Sequence, residues 1–287
     1  MLLEGNFQGV KHVGIPVVDI DKTQKWYRDI LGFKLVHHYA VPVEGGEVKR
    51  AFLELVNLQV ELYQLAGEAL EEIKTRGNGH IDHFAIDVLD VKKAMNDALA
   101  AGAVLDKDTP DGPVPNPSWP PDGCKYVFLK SPNGEKVEFN QHLELDPNRR
   151  KENLGGWAHL GIPTTDYQQI KAFYEQFGFK EVMYVNIPVG DEKIHITMVE
   201  KNGFILEFYQ LFGDDLKEVR TRKDGYIDHI TFGVLDIDQA YQELKAAGLK
   251  ILVDRPVFLR GVWDKGVKYF FIRGPEGEKV KFNQKVH

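Results

Sequence analysis

The chain has 287 residues, of which 43% are hydrophobic and 11% aromatic, enough to bury one large core or two ordinary ones. A formal charge of -7 with no long run of Lys or Arg excludes the electrostatic footprint of a nucleic-acid or anionic-membrane binder, and leaves a small molecule as the expected partner. A single cysteine, Cys124, excludes an internal disulfide framework and any thiolate-rich metal site, so a bound metal would rest on imidazole and carboxylate.

The opening MLLEGNFQGV lacks the basic segment and apolar run of a signal peptide, and nowhere do about 18 apolar residues run uninterrupted. A cytoplasmic monomer or homodimer is expected.

In chain order, VKHVGIPVVDI is a β-rich run ended by Asp. The spacing then predicts a helix over 23–30, with Trp26, Tyr27 and Ile30 on one side and Gly32 at its C-terminal cap. Three further β-rich runs follow, with a tight turn at 44–46. In LQVELYQL, Val60 and Leu62 alternate with Gln59, Glu61 and Tyr63, which puts Glu61 on a polar or ligating face.

The same order starts again at IDHFAIDVLDV. A helix is predicted over 91–101, with Val91, Met95, Ala98 and Leu99 on one side and Gly102 as its cap. A Pro-rich loop occupies 108–123, and a turn at 132–134 leads into KVEFNQ, where Glu138 and Asn140 face away from Val137 and Phe139. The unit is βαβββ. Cys124, alone in GCKYVFL, reads as a small core residue.

The second half repeats the first. GVKHVGIP recurs as GWAHLGIP, LQVELYQL as FILEFYQL, and IKTRGNGHIDH as VRTRKDGYIDH; GCKYVFLKSPNGEKVEFNQ recurs as GVKYFFIRGPEGEKVKFNQ, with its turn at 275–277. Agreement over four separate blocks marks a duplication. The polar stretch 142–156 reads as a linker between an N-terminal domain, 1–146, and a C-terminal domain, 147–287. Modules are expected at about 9–66, 78–143, 156–212 and 224–287.

One histidine opens each module: His12, His83, His159 and His229. A chemistry-bearing residue sits near each module's end: Glu61, Glu138, Glu207 and Lys281. Two neutral imidazoles and two carboxylates suit a divalent ion such as Zn, Ni, Co, Mn or Fe and leave room for substrate. His37, His38, His80, His142, His195 and His287 recur at no equivalent positions.

On these residues and blocks the chain resembles the vicinal oxygen chelate superfamily, which includes glyoxalase I, methylmalonyl-CoA epimerase, extradiol ring-cleaving dioxygenases, and fosfomycin and bleomycin resistance proteins. The resemblance implies an α+β fold in which βαβββ modules pair into incomplete β-barrel cups, helices outside, with one ligand from the first and one from the last strand of each module.

If neighbouring modules pair, the complete metal site is His12, Glu61, His83 and Glu138, with Glu61 and Glu138 as the catalytic carboxylates. This is the pairing we expect. Some family members instead pair the first module with the fourth and the second with the third, and the complete set becomes His83, Glu138, His159 and Glu207.

Under the neighbour pairing, the C-terminal set of His159, Glu207, His229 and Lys281 has two readings. In one, Lys281 pairs with Glu207 in place of an ion. In the other, two histidines and one carboxylate hold a second metal, with Lys281 as base or substrate anchor.

Trp119, Trp263, Tyr63 and Tyr126 are pocket candidates, each also readable as core. Arg76, like Arg222, is a candidate for binding a carboxylate group, with a solvated surface role as the plainer reading.

The resemblance further implies a metal-dependent lyase or isomerase of glyoxalase I type, acting through a metal-stabilised enediolate on a substrate with adjacent oxygens. The alternatives are an extradiol dioxygenase using Fe(II) and a non-catalytic drug-binding resistance protein.

Overall fold

The computed structural model describes residues 1–260, 262–263 and 265–286. Gly261, Asp264 and His287 lie outside the described residues.

The first module holds β1 (Phe7–Pro16), α1 (Ile20–Asp29), β2 (Lys34–Val43), β3 (Gly46–Leu55) and β4 (Leu58–Gln64), followed by α2 (Gly67–Lys74). The second holds β5 (His83–Val88), α3 (Val91–Ala100), β6 (Val104–Leu105), β7 (Val114–Asn116), β8 (Cys124–Lys130) and β9 (Lys136–His142).

The third holds β10 (Leu154–Pro163), α4 (Tyr167–Glu175), β11 (Lys180–Val189), β12 (Glu192–Lys201) and β13 (Phe204–Gln210), followed by α5 (Gly213–Thr221). The fourth holds β14 (His229–Val234), α6 (Ile237–Ala246), β15 (Lys250–Ile251), β16 (Val257–Leu259), β17 (Val267–Arg273) and β18 (Lys279–Lys285).

The predicted α+β architecture of four βαβββ units is present, with a short extra strand in modules two and four: β7, inside the predicted 108–123 loop, and β16. The aspartate that ends each first strand caps the helix after it: Asp19 and Asp90 accept from the amides of Lys22 and Lys93, so α1 starts before the predicted 23. Helices α2 and α5, which join modules, were not predicted; each is short and buries a single apolar residue, Ile73 or Val219.

The strands form two open nine-stranded sheets, and here the expected domain pairing is corrected. One sheet runs β15-β17-β18-β14-β1-β4-β3-β2, with β16 on β17, and joins the first module to the fourth. The other runs β11-β12-β13-β10-β5-β9-β8-β6, with β7 on β8, and joins the second to the third. Segments 1–146 and 147–287 are repeats in sequence, but neither makes a sheet by itself. The 142–156 stretch is no boundary between sheets either, because β10 on its far side pairs antiparallel with β5.

The physical reason lies where the chain leaves α2 and α5. The two connections cross: His80 N donates to Lys223 O (3.1 Å) and Tyr226 N to Gly77 O (2.9 Å). A Cβ on Gly79 would stand 2.3 Å from Gly225 N, so both positions need glycine for this approach. Each connection thereby carries its following strand to the other half's sheet.

Ion pairs lock the crossing. Arg76 binds Asp228 (2.7 Å) and Arg222 binds Asp82 (2.8 Å). Neither arginine is the solvated surface group or free carboxylate binder expected for Arg76.

A continuous apolar core, including Phe84, Phe139, Phe208, Phe232, Phe270 and Phe282, runs through both units. Within it two carboxyls are wholly buried, with Tyr27 donating to Glu135 (2.9 Å) and Tyr174 to Glu278 (3.1 Å). Burial pushes the Glu278 carboxyl up to about 8, against the hydrogen bonds that favour its ionised form. No described helix is long and apolar enough to cross a membrane.

A raised native pKa stabilises the fold below the unfolded value and loses that contribution as pH rises through the native one. The Glu278 contribution to unfolding free energy is therefore expected to decline between about pH 5 and pH 8, by on the order of a few kcal/mol. Denaturant titrations at several pH values should show a shallower decline in Glu278→Gln; an identical slope in both proteins would refute the assignment.

Candidate metal centre and a second, basic cavity

Each sheet curves around its own set of four residues. In the second-third unit, His83 starts β5, Glu138 lies on β9, His159 on β10 and Glu207 on β13. In the first-fourth unit, His12 lies on β1, Glu61 on β4, His229 on β14 and Lys281 on β18. The expected set is therefore divided: His12 and Glu61 meet His229 and Lys281, whereas His83 and Glu138 meet His159 and Glu207. Lys281 pairs with Glu61 (3.1 Å), not with Glu207. Glu61 and Glu138 cannot act as one catalytic pair, because they belong to different cups.

The HxG of modules one and three has a structural reason. Gly161 is the antiparallel partner of His83, and Gly14 of His229. A Cβ at Gly161 would lie 2.1 Å from His83 Cε1, and one at Gly14 equally close to that of His229. The imidazole of one module lies over the glycine of the module it pairs with.

In the second-third cup, His83 Nε2 stands 3.1 Å from Glu138 Oε2, 3.5 Å from Glu207 Oε2 and 3.3 Å from His159 Nε2. His159 Nε2 is 3.3 Å and 3.6 Å from the same two carboxylates. Donors bound to one ion at about 2.1 Å are roughly 2.9 to 3.4 Å apart; His83, His159 and Glu207 form a three-donor set close to that spacing, and Glu138 lies 3.1 and 3.3 Å from the two imidazoles. All four side chains are buried, which for two carboxylates is costly without a compensating charge.

The supporting groups fit the same purpose. Asp82 faces His83 Nδ1 (3.2 Å) and is itself held by Lys136 (2.7 Å) and Arg222, so the ring presents Nε2 inward. Burial would push His83 down, yet hydrogen bonds with Asp82, Glu138 and Glu207 outweigh it and raise its pKa well above the usual imidazole value. The site draws in positive charge. Asn140 donates to Glu138 Oε1 (2.6 Å).

A cavity of about 400 Å³ opens on these residues, walled by Trp119, Tyr126, Phe128, Ile187 and Ile194. Trp119 and Tyr126 are thus placed at a pocket. Cys124 also lines it, and burial pushes its thiol up to about 12, so it remains the neutral small residue expected from sequence. Among the lining residues six are acidic and three are Lys or Arg.

The first-fourth cup repeats the geometry with opposite charge. Glu61 Oε1 accepts from Arg50, and Glu61 Oε2 lies 3.0 Å from His12 and 3.8 Å from His229. Its Asp228 faces His229 Nδ1 (3.0 Å), as Asp82 faces His83. Burial would raise Glu61, but Lys281 and Arg50 hold it well below the carboxylate range. Burial takes His12 down to about 4, so this imidazole is neutral at pH 7.

Arg50 was missed from sequence. It pairs with Tyr63 across β3 and β4 as Ile196 pairs with Tyr209 across β12 and β13, so Ile196 is its counterpart. Extending the LQVELYQL block backward without a gap would have exposed the difference.

This larger cavity, about 640 Å³, takes in Tyr63, Arg76 and Trp263. Six of its lining residues are Lys or Arg and two are acidic. His12, Glu61 and His229 are close enough to form a three-donor set. A doubly charged ion about 4 Å from the Lys281 ammonium would nevertheless meet repulsion on the order of 8 kcal/mol at an effective dielectric near 20. The three-donor set of the Lys-bearing cup is thus His12, Glu61 and His229 in place of the expected His159, Glu207 and His229, with Lys281 opposing a cation there and Glu61 attracting it.

Compared with known proteins, residues 11–128 and 156–282 each match a family described as the Glyoxalase/Bleomycin resistance protein/Dioxygenase superfamily. A lactoylglutathione lyase of Arabidopsis thaliana is 33% identical over 134 residues, 45% of this chain and 43% of that protein. Mitochondrial methylmalonyl-CoA epimerase of Mus musculus is 29% identical over 108 residues, 33% of this chain and 60% of that protein. The chain thus spans less than two thirds of the length of either relative.

Among solved structures, glyoxalase I of Zea mays superposes with a TM-score of 0.70 at 21% identity, covering 98% of this chain and 94% of that one. A protein described as a putative dioxygenase from Bacillus subtilis gives 0.62 at 12% identity, covering 96% and 85%. At such identities the likeness is one of fold.

Gly161→Ala is expected to displace the His83 ring and weaken Zn²⁺ binding by about tenfold or more. Gly14→Ala should leave that affinity within about twofold, since it touches only the other cup. Calorimetric titration of chelator-treated protein tests both; equal losses would contradict the division into two cups.

Proposed function

Given that the chain belongs to the Glyoxalase/Bleomycin resistance protein/Dioxygenase superfamily, we propose that it is a divalent-metal-dependent lyase or isomerase of glyoxalase I type, with its reaction centre in the acidic cup. The observation that carries this reading is the convergence of His83, Glu138, His159 and Glu207, from four strands, with each imidazole 3.1 to 3.6 Å from both carboxylates. Two imidazoles and two carboxylates suit Zn, Ni, Co, Mn or Fe. When bound, the ion supplies Lewis acidity toward two adjacent oxygens of a small substrate.

The chain's own groups divide the remaining work. Glu138 is anchored by Asn140, whereas the contacts of Glu207 run to the two imidazoles. Glu207 is thus the freer carboxylate and serves as the base that takes a proton from the carbon beside the substrate carbonyl and returns it to the neighbouring carbon. Asp82, through His83, positions the donor set. Trp119, Tyr126 and Ile194 exclude water from the reacting atoms.

Four protein donors argue against the extradiol reading, which the sequence resemblance ties to two histidines and one carboxylate. Buried, unneutralised carboxylates argue against simple sequestration of a drug. Each cup is complete within one chain, so a monomer suffices. The compartment we propose is the cytoplasm, in keeping with a chain that has a single, buried cysteine.

The test uses chelator-treated protein reloaded with Ni²⁺, Co²⁺, Mn²⁺ or Zn²⁺ and the hemithioacetal of methylglyoxal and glutathione, followed by absorbance and by metal analysis. Turnover should return with about one ion per chain, and Glu207→Gln should lower kcat about 100-fold while retaining metal. Turnover indifferent to chelation, or Glu207→Gln within about threefold of the native rate, would refute the reading. Oxygen uptake with catechols after Fe(II) loading would favour the dioxygenase instead.

A further inference from the structure

The basic cavity has no part in the reaction just described. Its volume, about 640 Å³, lies within the range of small-molecule sites. At its floor, one carboxylate, Glu61, faces two cationic groups, Arg50 and Lys281. The other acid in the lining, Asp228, is already met by Arg76 (2.7 Å) and Lys279 (2.9 Å). One positive charge is therefore in excess at the floor, and Lys11 and Lys285 add more along the wall.

Two buried imidazole nitrogens also face this space. His12 Nε2 and His229 Nε2 line the cavity on side chains 5% and 2% exposed, 3.0 Å and 3.8 Å from Glu61 Oε2. With Asp228 against Nδ1, a neutral His229 ring presents Nε2 as an acceptor, so the anchoring of an anion falls to Lys281 and Arg50. The walls are aromatic. The Arg50 guanidinium lies 5.2 Å from the Tyr63 ring centre, and Lys281 Nζ lies 5.2 Å and 6.0 Å from those of Tyr269 and Phe271.

We propose that this cavity is a metal-independent binding site for a small aromatic monocarboxylate, its oxygens held by Lys281 and Arg50 above Glu61 and its ring against Tyr63, Tyr269 and Phe271. A single excess charge at the floor matches a monoanion better than a phosphate dianion. Guanidinium and ammonium donors form strong, charge-assisted bonds to a carboxylate, and flat walls receive a flat body. Register accounts for the contrast with the acidic cup: Lys281 stands where that cup has Glu138, and Arg50 where it has Ile196.

The experiment titrates full-length, chelator-treated protein with 1-naphthoate by calorimetry, beside neutral 1-naphthamide and 1-naphthyl phosphate. Naphthoate should bind without added metal and at least about tenfold more tightly than the amide, a comparison that needs no variant. Lys281→Met, checked for folding by its melting curve, should lose about tenfold or more for naphthoate, whereas Glu207→Gln should bind it like the native chain.

The proposal is overturned if naphthoate fails to bind at about 10 mM, if the amide or the phosphate binds as tightly, or if binding requires metal. It is equally overturned if Glu207→Gln, rather than Lys281→Met, abolishes binding. None of these results bears on hemithioacetal turnover in the other cup, so the two readings stand or fall separately.

Discussion

The close crossing at Gly79 and Gly225 governs which side chains meet in this protein. There, two segments of backbone approach more closely than any β-carbon permits, and Arg76 and Arg222 each reach an aspartate of the opposite half. Those aspartates, Asp228 and Asp82, sit immediately before His229 and His83 and face their Nδ1 atoms. The contact that exchanges the modules is thus wired directly to the imidazoles of both cups. Buried pairs of this kind are costly to break, on the order of 3–5 kcal/mol when one partner is removed.

Because modules one and four share one sheet and two and three the other, a nearly symmetric duplication yields two cups of opposite electrical character. The acidic cup gathers two carboxylates whose charge calls for a cation. In the basic cup Arg50 and Lys281 already neutralise Glu61, and His12 remains uncharged at neutral pH. Two positions account for much of the difference, Glu138 against Lys281 and Ile196 against Arg50. The paired strands, the glycine under each imidazole and the aspartate behind it are common to both, so the scaffold is indifferent to which chemistry it carries.

Much of this was legible in the chain. Local patterning identified the βαβββ unit because strand alternation and helical spacing act over a few residues: Val60 and Leu62 against Glu61, and Trp26 and Tyr27 on one face of α1. The repeat located all eight residues that line the centres of the cups, since equivalent strands hold equivalent positions. It did not reveal Arg50, which lies on a strand outside the four aligned blocks, or the purpose of the glycine in HxG, whose neighbour comes from another module. Helices α2 and α5 escaped because each buries so little that no apolar period marks it.

The sequence by itself determined the fold of each module, the inventory of donors, and the fact that one of two sites must contain a lysine. Both possible pairings bring together two histidines, one glutamate and either Glu138 or Lys281, so donor count could not distinguish them. Only the tertiary structure decided that Glu138 meets His159 and Glu207 while Lys281 meets His12 and Glu61. The reason is geometric: partner choice between modules depends on the path of the connections in space, and that path is set by the Gly79–Gly225 contact between residues remote from each other along the chain.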